Sequence, residues 1–153
     1  MNYWLMKTEG GCYSIDDLKR DKTTAWEGVR NYMARNFMVR DMSLGDLVLF
    51  YHSSSDPTGI FGIAKVVKSA HPDESQFNKK DEHYDPKATR EKPIWQCVDV
   101  AFVEKWKEPV TLLRMRLDPK LDGMVLLQRG SRLSIQPVSE KHFLHVRDKM
   151  TGK

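Results

Sequence analysis

Apolar residues in this chain come only in short runs, and none of these runs can close a core by itself. Tyr3 to Lys7, Leu47 to His52, Ile60 to Val67, Ile94 to Phe102 and Leu133 to Val138 each have the length and aromatic or β-branched character of a strand. Met124 to Leu127 adds another short apolar run. Helical segments separate them. Ser14 caps a predicted helix to about Arg20, with Ile15 and Leu18 on one face. Arg30 to Arg40 reads as an amphipathic helix whose apolar face is Val29, Met33 and Phe37, with Ala34 beside them. Thr111 to Met115 predicts a short helix entered from Pro109, and Ser139 caps a last helix carrying Phe143, Val146 and Met150. The resulting expectation is an α+β domain: a small, mixed but mostly antiparallel, barrel-like sheet with helical insertions.

Ser69 to Pro93 is polar and rich in Lys, Asp, His and Pro. The apolar segments on either side are each too small to bury a core alone, so the stretch reads as an excursion on one domain spanning 1–150. At 153 residues the chain is long enough for that core. Lysine plus arginine number 25 against 21 acids, a formal charge of +4 that permits a polyanionic partner without demanding one. Cys12 and Cys97 are too few for a disulfide framework and lie in no metal-ligand spacing, so both read as reduced thiols. No metal or cofactor is expected. Met1-Asn2-Tyr3-Trp4 does not open a signal peptide, and no apolar run approaches the roughly 20 residues of a membrane helix. The expectation is a soluble, intracellular protein that does not engage a membrane.

Three segments carry candidate binding chemistry. In Trp26-Glu27-Gly28-Val29-Arg30-Asn31-Tyr32-Met33-Ala34-Arg35-Asn36, Gly28 permits a turn or close approach, and a helix opens just beyond it with free N–H groups. Arg30 sits where a cation opposes the helix dipole, so it either grips a phosphate with Arg35 or pairs with Glu27. In Phe50-Tyr51-His52-Ser53 a strand end offers a stacking face and hydrogen-bonding groups in successive positions. In Arg132 to Val138, Ser134 and Gln136 share the polar face of an alternating strand.

Catalytic signatures are missing: there is no G-x-S-x-G, H-E-x-x-H or Walker-type phosphate loop. Gly59-Ile60-Phe61-Gly62 lies at and inside a strand, where glycine marks a bulge. His83 and Asp85 form only a weak H-x-D pair, and the five histidines are scattered.

The chain resembles the EVE domain family of the PUA-like superfamily. The resemblance rests on Tyr3-Trp4-Leu5-Met6-Lys7-Thr8-Glu9, the Trp26 to Asn36 segment, Phe50 to Ser53, His83-Tyr84-Asp85-Pro86, Val98-Asp99-Val100 and Arg132 to Val138, in that order along essentially the whole chain. It implies a PUA-like fold and non-catalytic binding of a modified base in DNA or RNA, modified cytosines such as 5-methyl- or 5-hydroxymethylcytosine leading. The implied base pocket is Trp4, Lys7, Trp26, Asn31, Tyr51, His52, Ser53 and Ser134, with Arg30 and Arg35 on backbone phosphates. A separate nuclease or other effector is the expected protein partner. The implied location is cytoplasmic for a bacterial chain and nuclear for a eukaryotic one. One departure is visible: Gly10-Gly11 stands where the family places Pro after Glu9. The competing reading is a small enzyme acting on modified nucleotides, with His52 or Glu9 as general acid–base; a third is a protein-interaction module.

Overall fold

The computed structural model describes residues 1–9, 11–130 and 132–151. Gly10 and the Glu9 side chain, on which two of the expectations above fall, lie outside the described residues. The strands are β1 (Tyr3–Glu9), β2 (Thr23–Ala25), β3 (Leu47–Ser53), β4 (Gly59–Pro72), β5 (Gln96–Thr111) and β6 (Ile135–Val138). They form one six-stranded sheet in the order β2-β5-β4-β3-β1-β6. All neighbours are antiparallel except β1 and β3, which run parallel with Lys7 beside Tyr51 and Thr8 beside His52. The expected barrel is corrected here: the sheet is open, with β2 and β6 as separate edges. β2 has three residues and β6 four, too little strand to reach across and close it.

Alternation along β1 and β3 divides two cores. Trp4, Met6, Val48 and Phe50 belong to one, together with Ile15 and Leu18 of helix α1 (Ile15–Asp21) and Ala34 of helix α2 (Tyr32–Asn36). Leu5, Leu49 and Tyr51 belong to the other, with Met115 of α3 (Leu112–Arg116) and Phe143 of α4 (Glu140–His145). The period-2 pattern of the strands thus sends successive residues to opposite helical layers. Among the described residues no helix is long and apolar enough to cross a membrane.

Ser14 caps α1 through a reciprocal bond with Asp17, and Ser139 and Thr111 cap α4 and α3. Three local expectations are revised. Met33 is 56% exposed, because α2 passes into a π turn over Phe37–Asp41 and the buried row becomes Ala34, Met38 and Met42. Val125–Leu127 forms a 3-10 turn and not a strand. Thr23–Ala25, which reads as a helix break, pairs with β5 as the edge strand.

The polar excursion folds back onto the body. Asp73 is fully buried, its Oδ2 accepting from the Gly28 N–H at 2.8 Å and from Arg30 at 3.0 Å, while Oδ1 accepts from the Ser75 N–H at 2.8 Å. Gln76 closes the other end, donating to the carbonyls of Asp73 and Trp95 and accepting from the N–H groups of Ile94 and Trp95. Burial alone would raise the Asp73 carboxyl, but bonds from Ser75, Gly28 and Arg30 outweigh it and hold the group below the usual carboxylate range.

Candidate nucleic-acid interface

Trp26 follows β2 directly, its N–H bonded to the Val98 carbonyl of β5. Its indole meets Phe50 edge-on at 5.6 Å between ring centroids, which fixes the ring against the first core. Beside it opens a cleft of about 190 Å³ lined by Thr8, Tyr13, Thr24, Ala25, Trp26 and Glu27. The Tyr13 hydroxyl donates to Asp21 at 3.0 Å, and the Thr8 hydroxyl donates to the Tyr13 carbonyl at 3.0 Å. Glu27 Oε2 accepts from the Glu74 N–H at 2.9 Å. Burial raises the Glu27 carboxyl, and the neighbouring Asp73, Asp81 and Glu74 push the same way. The chemistry of this cleft is one aromatic wall, hydroxyl groups and a carboxylate, which suits a flat heterocycle with amino hydrogens to donate.

His52 does not line this cleft. Its ring stacks on Phe61 at 3.9 Å, and Nε2 accepts from the Ile15 N–H at 3.1 Å. The histidine therefore pins the start of α1, and with it Tyr13 two residues earlier. Ser53 donates to the Thr8 carbonyl at 3.3 Å, on the far end of the same strand pair. Burial holds the His52 imidazole below its ordinary value, against the pull of Asp16 and Asp17. The unfolded ring binds a proton where the folded ring does not, so stability is lost as pH falls through about 6.5 toward the folded value. The denaturation midpoint of the wild type is expected to drop between about pH 7 and about pH 5.5. His52→Gln, whose amide oxygen can still accept from Ile15, should drop less. Equal losses in both would place the acid sensitivity on another group.

The other sequence candidates occupy different surroundings. Trp4 Nε1 donates to Asp46 Oδ2 at 3.0 Å and the ring packs on Phe37 at 5.4 Å, so its polar edge is satisfied inside the fold. The Lys7 ammonium lies 5.8 Å from the Tyr51 ring centroid, on the face of the sheet opposite Trp4 and Trp26. Ser134 belongs with them, its carbonyl accepting from the Lys7 N–H at 2.8 Å. Asn31 caps α2, its Oδ1 accepting from the Ala34 N–H.

All five N–H donors of Arg30 are engaged. Nε and Nη2 bond the His83 carbonyl, Nη1 the Val29 carbonyl and Asp73, and Nη2 also Ser75. The partner is Asp73 and not Glu27. Arg35 lies 4.7 Å over Tyr32, a ring 59% exposed that stacks in turn on Trp95. Its Nη1 donates to the Ile94 carbonyl and its Nε and Nη2 to Asn36, so these bonds use three of its five N–H donors. Thr8, Tyr13, Thr24 and Ala25 were not singled out from the sequence. Only the pairing of β2 with β5 and the docking of α1 bring them together, although Thr8 lies inside the first recognised motif.

Larger clefts lie elsewhere: two of about 530 Å³ and 500 Å³, and one of about 360 Å³ at Glu108, Arg114, Met150 and Thr151. The first is lined by Arg116, Asp118, Pro119 and the turn at Asp122 to Gln128 and contains no aromatic ring. The second lies between the chain start and the β6–α4 junction and touches Trp4. None of these joins a stacking face to a reading edge as the Trp26 cleft does.

Comparison with known proteins identifies the family and the fold. The EVE domain profile matches residues 2–149. Thymocyte nuclear protein 1 of Gallus gallus is 44% identical over 92% of this chain, which spans 65% of that protein's length. The crystal structure of a Pseudomonas syringae protein superposes with a TM-score of 0.91 at 43% identity, covering 95% of this chain and 97% of that one. The human THYN1 protein, solved in complex with DNA containing 5-methylcytosine, superposes with a TM-score of 0.86 at 42% identity, covering 95% of each chain.

Proposed function

Since this chain belongs to the EVE domain family, we propose that it binds DNA carrying 5-methylcytosine without chemical turnover, taking the modified base out of the stack into the Trp26 cleft. The observation that carries this reading is the cleft itself: an indole held edge-on by Phe50, with Tyr13 and the exposed Glu27 also in its lining. Its volume of about 190 Å³ suits a single heterocycle and falls below the roughly 300–1,000 Å³ of drug-sized sites. The DNA complex of the human relative points to the same ligand.

In this reading Trp26 stacks on the base, Glu27 accepts from the cytosine amino group, and the methyl group meets Ala25 and the indole. His52, Ser53 and Asn31 act through the backbone they hold, and Trp4 through Asp46. Arg35, on its exposed aromatic shelf, takes the phosphate role; Arg30 holds the excursion in place. Lys7, Tyr51 and Ser134 serve the opposite face.

The test is fluorescence anisotropy with matched oligonucleotides that differ at one cytosine, as DNA and as RNA, at fixed salt. The methylated DNA strand should bind more tightly by the modest margin a methyl group gives, about 1–3 kcal/mol. Trp26→Ala should lose roughly 1–3 kcal/mol of binding, the worth of one stacked base. Because the indole is also core, Glu27→Ala at an exposed position provides the second variant and should weaken the methylated strand with folding unchanged. Equal affinity for every strand, or full binding by both variants, would overturn the proposal.

A further inference from the structure

The pairing of β4 with β5 places His71 directly opposite Cys97, two residues before Asp99. Imidazole Nε2 lies 2.7 Å from Asp99 Oδ1 and 3.9 Å from Cys97 Sγ, and the three donor atoms fall within 4.8 Å of one another. We propose that His71, Cys97 and Asp99 form a three-ligand site for a divalent transition-metal ion of the zinc class.

The geometry needs a side-chain adjustment of at most about 1 Å, since the sulfur–oxygen gap lies within 4.8 Å. Zinc bonds of about 2.3 Å to sulfur and about 2.0–2.2 Å to nitrogen and oxygen, set tetrahedrally, separate the donors by roughly 3.4–3.6 Å. The sulfur–nitrogen gap closes by a few tenths of an ångström, and the shorter nitrogen–oxygen gap opens by somewhat more. Thiolate and carboxylate together offset the charge of the ion, and imidazole completes a donor set of the kind zinc selects. Burial is the main influence on Cys97; Asp73, Glu27 and Asp99 act on it as negative charges and Lys68 as a positive one. Side chains of His71 and Asp99 are each 25% exposed while Cys97 is buried, so an ion enters as their bond opens and keeps its fourth position toward solvent.

Proton balance follows from the chemistry of the ligands. Burial pushes the Cys97 thiol up, and without a cation it keeps its proton. Binding converts it to thiolate and releases that proton to solvent, and Nε2 coordinates with the ring proton on Nδ1. Sequence spacing could not show this site, because the two ligand-bearing strands meet only through the long antiparallel pairing.

The experiment is a cobalt(II) titration of the full chain in a Cys12→Ser background, which removes the exposed thiol. The expected result is a thiolate-to-cobalt charge-transfer band that saturates at a single equivalent, disappears on adding zinc, and accompanies release of the thiol proton. Cys97→Ser should abolish the band. His71→Gln, at a part-exposed position and with unchanged metal-free melting, should lower affinity at least about tenfold. No band in excess cobalt, a band that survives Cys97→Ser, or unchanged affinity in His71→Gln would each overturn the site.

Discussion

Asp73→Ala is expected to lower the free energy of unfolding by about 3–5 kcal/mol, the range for stripping a buried ion of its partner. The carboxylate accepts from Gly28, Arg30 and Ser75 at once, so its loss leaves an uncompensated guanidinium and orphaned backbone N–H groups in one place. Chemical denaturation at neutral pH measures the change. The double variant Asp73→Ala with Arg30→Met should recover part of it, because removing both charges costs less than removing one. Strictly additive losses would mean that the ion pair is not what holds the excursion. The sign with pH is fixed by the depressed carboxyl: its contribution is present at neutral pH and disappears as acid protonates it. Binding should weaken in parallel, since Gly28 follows the Trp26-Glu27 pair of the cleft by a single residue.

Gly62→Ala should be comparably damaging, at or above the upper end of the roughly 1–3 kcal/mol typical of overpacking. A Cβ at this position would lie well inside contact distance of the Glu104 carbonyl oxygen and 3.1 Å from the Lys105 Cα. Those neighbours are backbone and cannot rotate away. The close approach coincides with the register slip between Ile60 and Gly62 on the β5 side, so the glycine expected to mark a bulge does so. Gly11→Ala is the control. Apart from its chain neighbours no atom lies within 4 Å of its Cβ position, and its free energy of unfolding should stay within about 1 kcal/mol of the wild type. Similar melting for Gly62→Ala and the wild type would show that β5 can move aside.

The strands and caps were legible in the sequence because they rest on local rules. Ser14, Thr111 and Ser139 cap the helices predicted after them, and the dense runs at Leu47 and Ile60 pair as a hairpin. What failed was set by longer-range packing. A helix wheel places Met33 with Phe37, but the π turn adds a residue to the coil and rotates Met38 inward instead. The site shows the same division. Trp26 is visible as the head of a long motif, yet its neighbours in the cleft come from β1, β2 and the approach to α1, and only tertiary pairing assembles them. Residues named together in one motif, such as Tyr51 and His52, point to opposite cores because strand neighbours alternate.

The place of β1 between β3 and the edge strand β6 also bears on how the chain folds. Tyr3 pairs with Leu47 on one side and with Val138 on the other. β1 therefore needs both β3 and the distant β6 before both of its ladders of hydrogen bonds can form. Folding is expected to be of high contact order and slow beside a helical bundle of equal length. Until β6 docks, β1, which carries Trp4, Leu5 and Met6, keeps one open edge, the segment a holdase chaperone would be expected to cover.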